Sequence, residues 1–164
     1  MSQNQEINDI CCPPFNPELW EGKTHVWEKR AFIKDAIRTF LHMPLPSGIN
    51  KMMMRAWKTI EDAGANPPPD DFVILTKDPS PWRSEYYFSV TKPVEGAQNT
   101  TMSGTFISKV FDGPYRDVPK FLKQAKQSVE ESGHKVKDSA IFYTTCPKCI
   151  KKYGHNYMVV FCEV

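Results

Sequence analysis

The two cysteines near the C-terminus are the residues whose type and spacing point most directly to chemistry. Cys146 and Cys149 are separated by two residues, a spacing with which one turn can present two thiolates to a tetrahedral zinc ion. The pattern predicts that they lie in the loop of a β-hairpin. They would then lack the helix N-terminus that stabilises the thiolate of a redox pair. The spacing therefore predicts half of a metal site.

A second pair of cysteines could complete that site from the other end of the chain. Cys11 and Cys12 could supply the remaining ligands, and zinc is the one cofactor that the sequence indicates. Adjacent ligands are strained on a single ion, so His25 or His155 could replace one of them. The cysteines are consistent with three states: a four-ligand metal site, reduced thiols, or a redox pair.

The sequence contains none of the common catalytic motifs. There is no Gly-x-Ser-x-Gly elbow, no phosphate-binding glycine loop and no His-Glu-x-x-His pair. The four histidines are scattered along the chain. Standard hydrolase machinery and a phosphate-binding loop are therefore not indicated.

The stretch 101–133 predicts a strand, a tight turn and a helix in succession. β-Branched and aromatic residues dominate 105–111, and Asp112-Gly113-Pro114 ends the strand, with Gly113 expected to need a turn conformation. Apolar residues then recur at helical spacing over 118–132, where Asp117 can cap the start and Gly133 suits the position after the end.

The same unit occurs about seventy residues earlier. Residues 40–48 align with 110–118, and residues 54–64 align with 123–133. Two strand patterns follow each helix, at 72–76 and 85–90 in the first copy and at 140–145 and 156–161 in the second. The repeat predicts an α+β fold in which a β-α-β-β module is duplicated, over 23–97 and 98–164. The modules are expected to join in one antiparallel sheet with both helices on one face.

Two features are expected before the first helix. Residues 1–22 are broken by prolines and predict an irregular arm, in which Phe15, Leu19 and Trp20 are apolar enough to dock on the body. The first long strand pattern extends over 24–45, and Ser47 is a plausible cap for the helix that follows.

Composition limits the partners and the compartment. The chain has 164 residues, 40% of them hydrophobic and 12% aromatic, which is enough for a core. The net charge of +2 comes from dispersed charges, so neither a nucleic acid nor a membrane surface is indicated as a partner. There is no secretion signal and no apolar stretch that could span a bilayer. With five cysteines, an odd number, the sequence predicts a cytoplasmic protein with reduced or metal-bound thiols.

The FDGPY turn at 111–115, the helix that ends before Gly133, and the doubled strand-helix-strand-strand order resemble the gyrase-inhibitor-like (GyrI-like) small-molecule-binding family. The resemblance covers 23–164 and implies a ligand cleft on the pseudo-twofold axis between the modules. It implies binding of small aromatic or cationic molecules, and some stand-alone members hydrolyse cyclopropane-bearing genotoxins with a cleft carboxylate. The CCPPF and CPKC segments look like those of a stand-alone subgroup.

Strand alternation selects the residues expected to line this cleft. If Tyr86 and its partners at 88 and 90 face the helix, then Glu85 and Tyr87 face the cleft, and Met158 joins them through the repeat alignment. A one-residue bulge would instead bring Tyr86, Tyr157 and Glu163 to the cleft. The other aromatic candidates for ligand contact are Trp82, Phe111, Tyr115 and Tyr143.

Two main functions remain open from the sequence. The first is a stand-alone protein that binds a small aromatic or cationic molecule. The second is a hydrolase in which Glu85 or Glu163 acts as a general base, with desolvation disfavouring its charged form. A third, an interaction adaptor that uses the arm, would be favoured if the cleft were filled by the protein's own side chains.

Overall fold

The computed structural model describes residue 12 and residues 14–164. Within these residues the strands are β1 (Lys23–Phe40), β2 (Met43–Pro44), β3 (Ile74–Ser80), β4 (Arg83–Ser89), β5 (Asn99–Asp112), β6 (Asp138–Tyr143) and β7 (Tyr157–Glu163). The α-helices are α1 (Pro46–Asp62), α2 (Val118–Glu131) and α3 (Pro147–Tyr153). The predicted mixture of helices with antiparallel strands is confirmed. Strand β2 and helix α3 were not expected, and the duplication of the module stays a prediction.

The chain divides into two compact units. We call Val26–Thr105 the middle unit, and the described residues within Met1–His25 together with Phe106–Val164 the terminal unit. Each unit contains its own antiparallel strands and at least one helix.

The sheet of the middle unit has the order β2-β1-β4-β3. Directly opposed residues of antiparallel strands share a face, and Asp35 of β1 lies opposite Tyr86 of β4. Arg55 of α1 binds Asp35, with Nη2 2.7 Å from Oδ2, so α1 covers the face of Tyr86. Glu85 and Tyr87 therefore point away from α1, which is one of the two alternatives that strand alternation left open.

The first strand is shorter than expected. It ends at Phe40 because Leu41 and His42 have positive φ angles of 49° and 65°, and the chain turns back into β2. Helix α1 then begins at Pro46, and the preceding Leu45 makes no side-chain cap. The prediction that Ser47 caps this helix is wrong, because the helix already begins at Pro46. Proline suits the first helical position, since it has no N–H group that needs an acceptor and its φ angle is already helical.

The sheet of the terminal unit has the order β6-β7-β5, and α2 packs on one face of it. The buried residues of this core are Ile107, Phe121, Ala125, Val129, Ile141, Met158, Val160 and Cys162. Gly133 follows the helix with a φ of 97°, as its predicted position requires. Asp117 precedes the helix but its side chain makes no capping hydrogen bond.

The opposite face of the same sheet is covered by the chain's own N-terminal segment. The ring of Trp20 meets Phe142 and Phe161 edge-on, with centroids 6.1 and 6.0 Å apart. The Ser108 hydroxyl donates to the carbonyl of Trp20. Trp20 is buried, whereas Leu19 is 45% exposed, so the segment docks through Trp20 and not through Leu19.

None of the described helices is long and apolar enough to cross a membrane.

Candidate functional site

Glu85 is the centre of a polar network in the middle unit. Its Oε1 lies 3.0 Å from Lys34 Nζ and 3.2 Å from Arg83 Nε, while Oε2 accepts a hydrogen bond of 2.9 Å from the Tyr87 hydroxyl. Lys34 and Tyr87 are directly opposed across β1 and β4. Glu85 is 16% exposed at its side chain. The network thus holds one half-buried carboxylate in a fixed orientation.

The pKa of Glu85 is lower than usual. Burial alone would raise the pKa, but the hydrogen bonds from Lys34, Tyr87 and Arg83 favour the charged form and outweigh burial. Desolvation thus disfavours the charged carboxylate of Glu85 as expected, but it does not determine the pKa, because the three hydrogen bonds act more strongly in the opposite direction. This carboxylate is ionised at neutral pH and is a weak base.

The remaining candidates of the middle unit lie apart from this network. Tyr86 is buried on the face covered by α1, and burial, together with the charge of Asp78, raises its pKa to about 12. Trp82 lies in the turn between β3 and β4, is 55% exposed, and contacts Phe40 with ring centroids 5.6 Å apart.

In the terminal unit the repeat alignment assigned Met158 to the wrong face. Met158 is 1% exposed and packs in the core beneath α2, where Phe111 and Tyr143 border it. Side chains alternate along a strand, so an alignment displaced by one residue reverses the face of each of them. Tyr157 and Glu163 are the β7 candidates that point away from α2.

A second polar cluster, which the sequence did not predict, lies beside the Asp112-Gly113-Pro114 turn. His155 Nδ1 is 2.7 Å from Asp112 Oδ2, and the backbone N–H of Asn156 donates to Asp112 Oδ1 at 2.8 Å. Asn156 Nδ2 donates to the Gly113 carbonyl at 2.7 Å. These residues and Tyr115 line an open pocket of about 410 Å³. Among the side chains that the structure describes, Asn156 Oδ1 is buried without a hydrogen-bond partner.

Three cysteines converge in the terminal unit. The sulfur atoms of Cys12, Cys146 and Cys149 all lie within 4.8 Å of one another, so they could hold a metal ion. Cys146 directly precedes α3 and Cys149 lies within it. The prediction of a hairpin loop without a helix is wrong here, because Pro147–Tyr153 form a short helix. This polar segment shows no apolar spacing from which a helix could be predicted.

Neither histidine proposed as a substitute ligand takes part in this cysteine cluster. His25 Nε2 is 2.8 Å from the Ser108 hydroxyl, and His155 pairs with Asp112. Cys11, the fourth predicted ligand, lies outside the described residues.

Hydrogen bonds and aromatic side chains surround the cluster. The backbone N–H of Cys146 donates to Cys12 Sγ at 3.3 Å, and the Tyr153 hydroxyl donates to the Cys12 carbonyl at 2.6 Å. Burial raises the pKa of the Cys12 thiol. Tyr115 donates to the Thr145 carbonyl at 3.0 Å, and burial next to the two thiols raises its pKa to about 12.

Comparison with solved structures identifies the fold. The crystal structure titled EcmrR C-terminal domain matches with a TM-score of 0.63 over 88% of this chain and 97% of that chain, at 12% identity. At this identity the similarity shows the fold alone, which is GyrI-like. No curated protein matches the chain.

The full-length sequence matches one family model. The chain belongs to the bacterial hydrolase family, whose model matches residues 2–164.

Proposed function

We propose that the protein is a hydrolase of small, strained electrophiles, with Glu85 as the carboxylate that acts on water. Membership of the bacterial hydrolase family supports the reaction class. The residue assignment depends on one observation, the three donors around Glu85, because a carboxylate held by Lys34, Tyr87 and Arg83 is already oriented before substrate arrives. Glu163 is the alternative carboxylate.

In the proposed reaction Glu85 accepts a proton from water while the water oxygen bonds to an electrophilic ring carbon. The strained carbon–carbon bond breaks, and its electron pair passes to the conjugated acceptor group of the substrate. The proton held by Glu85 is then returned to that anion, so the product is substrate plus one water. Tyr87 keeps the carboxylate aligned through its single O–H, which donates to Glu85 Oε2.

The low pKa of Glu85 narrows the class of substrate. A general base is most effective when its pKa is near the working pH, and a carboxylate of low pKa removes a proton from water weakly. The substrate must therefore be strongly activated, as a cyclopropane joined to a carbonyl is. Unactivated esters and amides are not expected to react.

A second candidate function is binding of a small aromatic molecule without turnover. Lys34 and Arg83 already neutralise Glu85, which favours a structural role for the carboxylate. Two cations around one anion also disfavour a cationic ligand at this position. The Lys34 ammonium lies 5.5 Å from the centre of the Tyr87 ring, so one face of that ring is occupied. The surroundings of Glu85 therefore favour a neutral aromatic ligand over a cationic one.

Several further features rest on the sequence alone. We propose that the CCPPF and CPKC segments mark a stand-alone subgroup, and that residues 23–97 and 98–164 derive from one duplicated β-α-β-β module. The ligand cleft on a pseudo-twofold axis, the absence of nucleic-acid and membrane partners, and the cytoplasmic location stay predictions.

The test of the hydrolase is turnover of a cyclopropane-bearing alkylator, followed by mass spectrometry in water enriched in oxygen-18. We expect a product that gains one labelled water. Glu85→Gln should lower the rate by about 10²–10⁴-fold while substrate still binds, because the lost group acts in the transition state. Glu163→Gln is the matched control and should keep the rate within about twofold.

Other outcomes separate the alternatives. Loss of turnover in Glu163→Gln alone would move the catalytic role to Glu163. Binding of a neutral aromatic ligand without any product, in wild type and both variants, would favour the binding function and reject the hydrolase.

A further inference from the structure

The proposed hydrolysis does not use the cysteine cluster of the terminal unit. We propose that Cys12, Cys146 and Cys149 bind a zinc ion, which fastens the N-terminal segment at Cys12 to helix α3. This role is separate from catalysis and does not depend on the proposed substrate.

The distances between the sulfur atoms suit a metal ion. Zinc–thiolate bonds of about 2.3 Å place two sulfurs of a tetrahedral site about 3.8 Å apart. The three sulfurs already lie within 4.8 Å of one another, so small side-chain adjustments bring them to a common ion. Cys12 and Cys146 are 134 residues apart in sequence, so their contact is not a result of closeness along the chain.

The surroundings hold the sulfur atoms in place. Metal-binding groups are commonly oriented by hydrogen bonds from neighbouring groups. Here the Cys146 N–H donates to Cys12 Sγ, and the Tyr153 hydroxyl fixes the Cys12 carbonyl. These two contacts come from residues of, or next to, helix α3, so they fix Cys12 beside Cys146 and Cys149.

The number and charge of the groups favour a metal over a disulfide. A disulfide would join two of the three sulfurs and leave the third in a buried, crowded place, whereas a soft cation contacts all three. Cys149 is fully buried, and Cys12 and Cys146 are partly exposed, so the group is protected yet accessible to an incoming ion. Three thiolates exceed the charge of one zinc ion by one, and the lysines of α3 can offset this excess.

Zinc would also account for the stability of a very short helix. Helix α3 has 7 residues, and isolated helices shorter than about 12–15 residues are marginal in water. A metal bound through Cys146 and Cys149 would hold its first turn, and the bond to Cys12 would hold the N-terminal segment. Removing the ion should loosen both elements together.

The test is metal analysis of the full chain, produced with zinc in the medium and purified without a chelator. We expect about one zinc ion per chain. Cys12→Ser, Cys146→Ser and Cys149→Ser should each retain less than about a tenth of that amount after dialysis. Cys162→Ala is the matched control, because Cys162 is buried in the core beneath α2 and should leave the zinc content unchanged.

Cobalt substitution tests the ligands without any variant. The wild-type chain loaded with Co²⁺ should show an intense thiolate-to-cobalt charge-transfer band and the visible bands of a tetrahedral site. This measurement keeps the proposal testable if a serine variant does not fold. Zinc content well below half an equivalent, a cobalt spectrum without thiolate bands, or a native mass two hydrogens lower through a disulfide would each overturn the proposal.

Discussion

A β-carbon added at Gly113 would lie 2.8 Å from Cζ of Phe121. The Phe121 ring is buried and stacks on Phe111 with centroids 4.8 Å apart, so it has little room to move aside. Gly113 does not have a positive φ. The expectation of a special turn conformation is therefore wrong, and close packing against Phe121 explains the glycine.

Gly113→Ala is expected to lower the free energy of unfolding by about 1–3 kcal/mol, because an added methyl group overpacks the core. Urea unfolding measures this change. The control is Gly48→Ala, in helix α1, where no atom beyond the adjoining residues and the helix's own backbone lies within 4 Å of the added carbon. That variant should be neutral or stabilising by about 0.5–1 kcal/mol. Equal effects of the two variants would contradict the steric explanation.

Asp112 should contribute to stability in a pH-dependent way. Burial opposes its charged form, but the hydrogen bonds from His155 and Asn156 outweigh burial and lower the pKa of Asp112 below its usual value. Because the folded-state pKa is the lower one, the contribution is present above about pH 4 and is lost as the pH falls through the folded-state pKa.

Asp112→Asn tests this contribution. Its deficit in unfolding free energy relative to wild type should be largest near neutral pH and should shrink below about pH 4. Urea midpoints across this range give the deficit, and Asp70→Asn at an exposed position controls for the loss of one carboxylate. A deficit that is constant with pH would rule out the assigned hydrogen bonds.

Tyr87→Phe is expected to raise the pKa of Glu85. The phenol donates a hydrogen bond to the ionised carboxylate and so lowers its pKa, whereas burial raises it. Without the phenol, the effect of burial on the pKa is larger. Carbon-13 NMR titration of the glutamate side chains measures the pKa, and the acid limb of the rate profile should move in the same direction. Lys58→Met, which removes a lysine paired with Asp62, should not move the Glu85 signal.

Trp20 should contribute far more to the free energy of unfolding than its neighbour Leu19. Trp20→Ala removes a buried ring that contacts Phe142 and Phe161, and it should cost about 3–5 kcal/mol of unfolding free energy. Leu19→Ala, at an exposed side chain, should change stability by less than about 0.5 kcal/mol. Thermal or urea unfolding distinguishes the two, and similar losses would mean that the segment docks through a different contact.

The sequence predicted best the elements whose apolar residues follow one regular spacing. Helix α2 and the turn at Gly133 followed from apolar spacing, whereas strand alternation alone left open whether Tyr86 or the pair Glu85 and Tyr87 points away from helix α1. Met158 was misplaced because a sequence alignment that is displaced by one residue reverses the face of every side chain in a strand. Helix α3 was missed because CPKCIKKY is short and polar, so its helicity depends on tertiary contacts.

The cysteine cluster was partly predictable from the sequence, whereas the Asp112–His155 pair was not. Cysteine spacing identified Cys146 and Cys149, and Cys12 was a candidate because it is the same type of residue. The pairing of Asp112 with His155 was not predicted, because the two residues are 43 positions apart and neither belongs to a motif. Only the register of β5 against β7 brings that pair together.

The docking of the N-terminal segment has a consequence for biosynthesis. Cys12 and Trp20 leave the ribosome early, but the hydroxyl that binds Cys12 belongs to Tyr153, 141 residues later. At about 5–20 residues per second, that delay is on the order of ten seconds. Until β6 and β7 have been made, the indole of Trp20 lacks its partners Phe142 and Phe161, so the nascent chain displays a large apolar ring. A chaperone that binds exposed apolar side chains would recognise this ring during that interval.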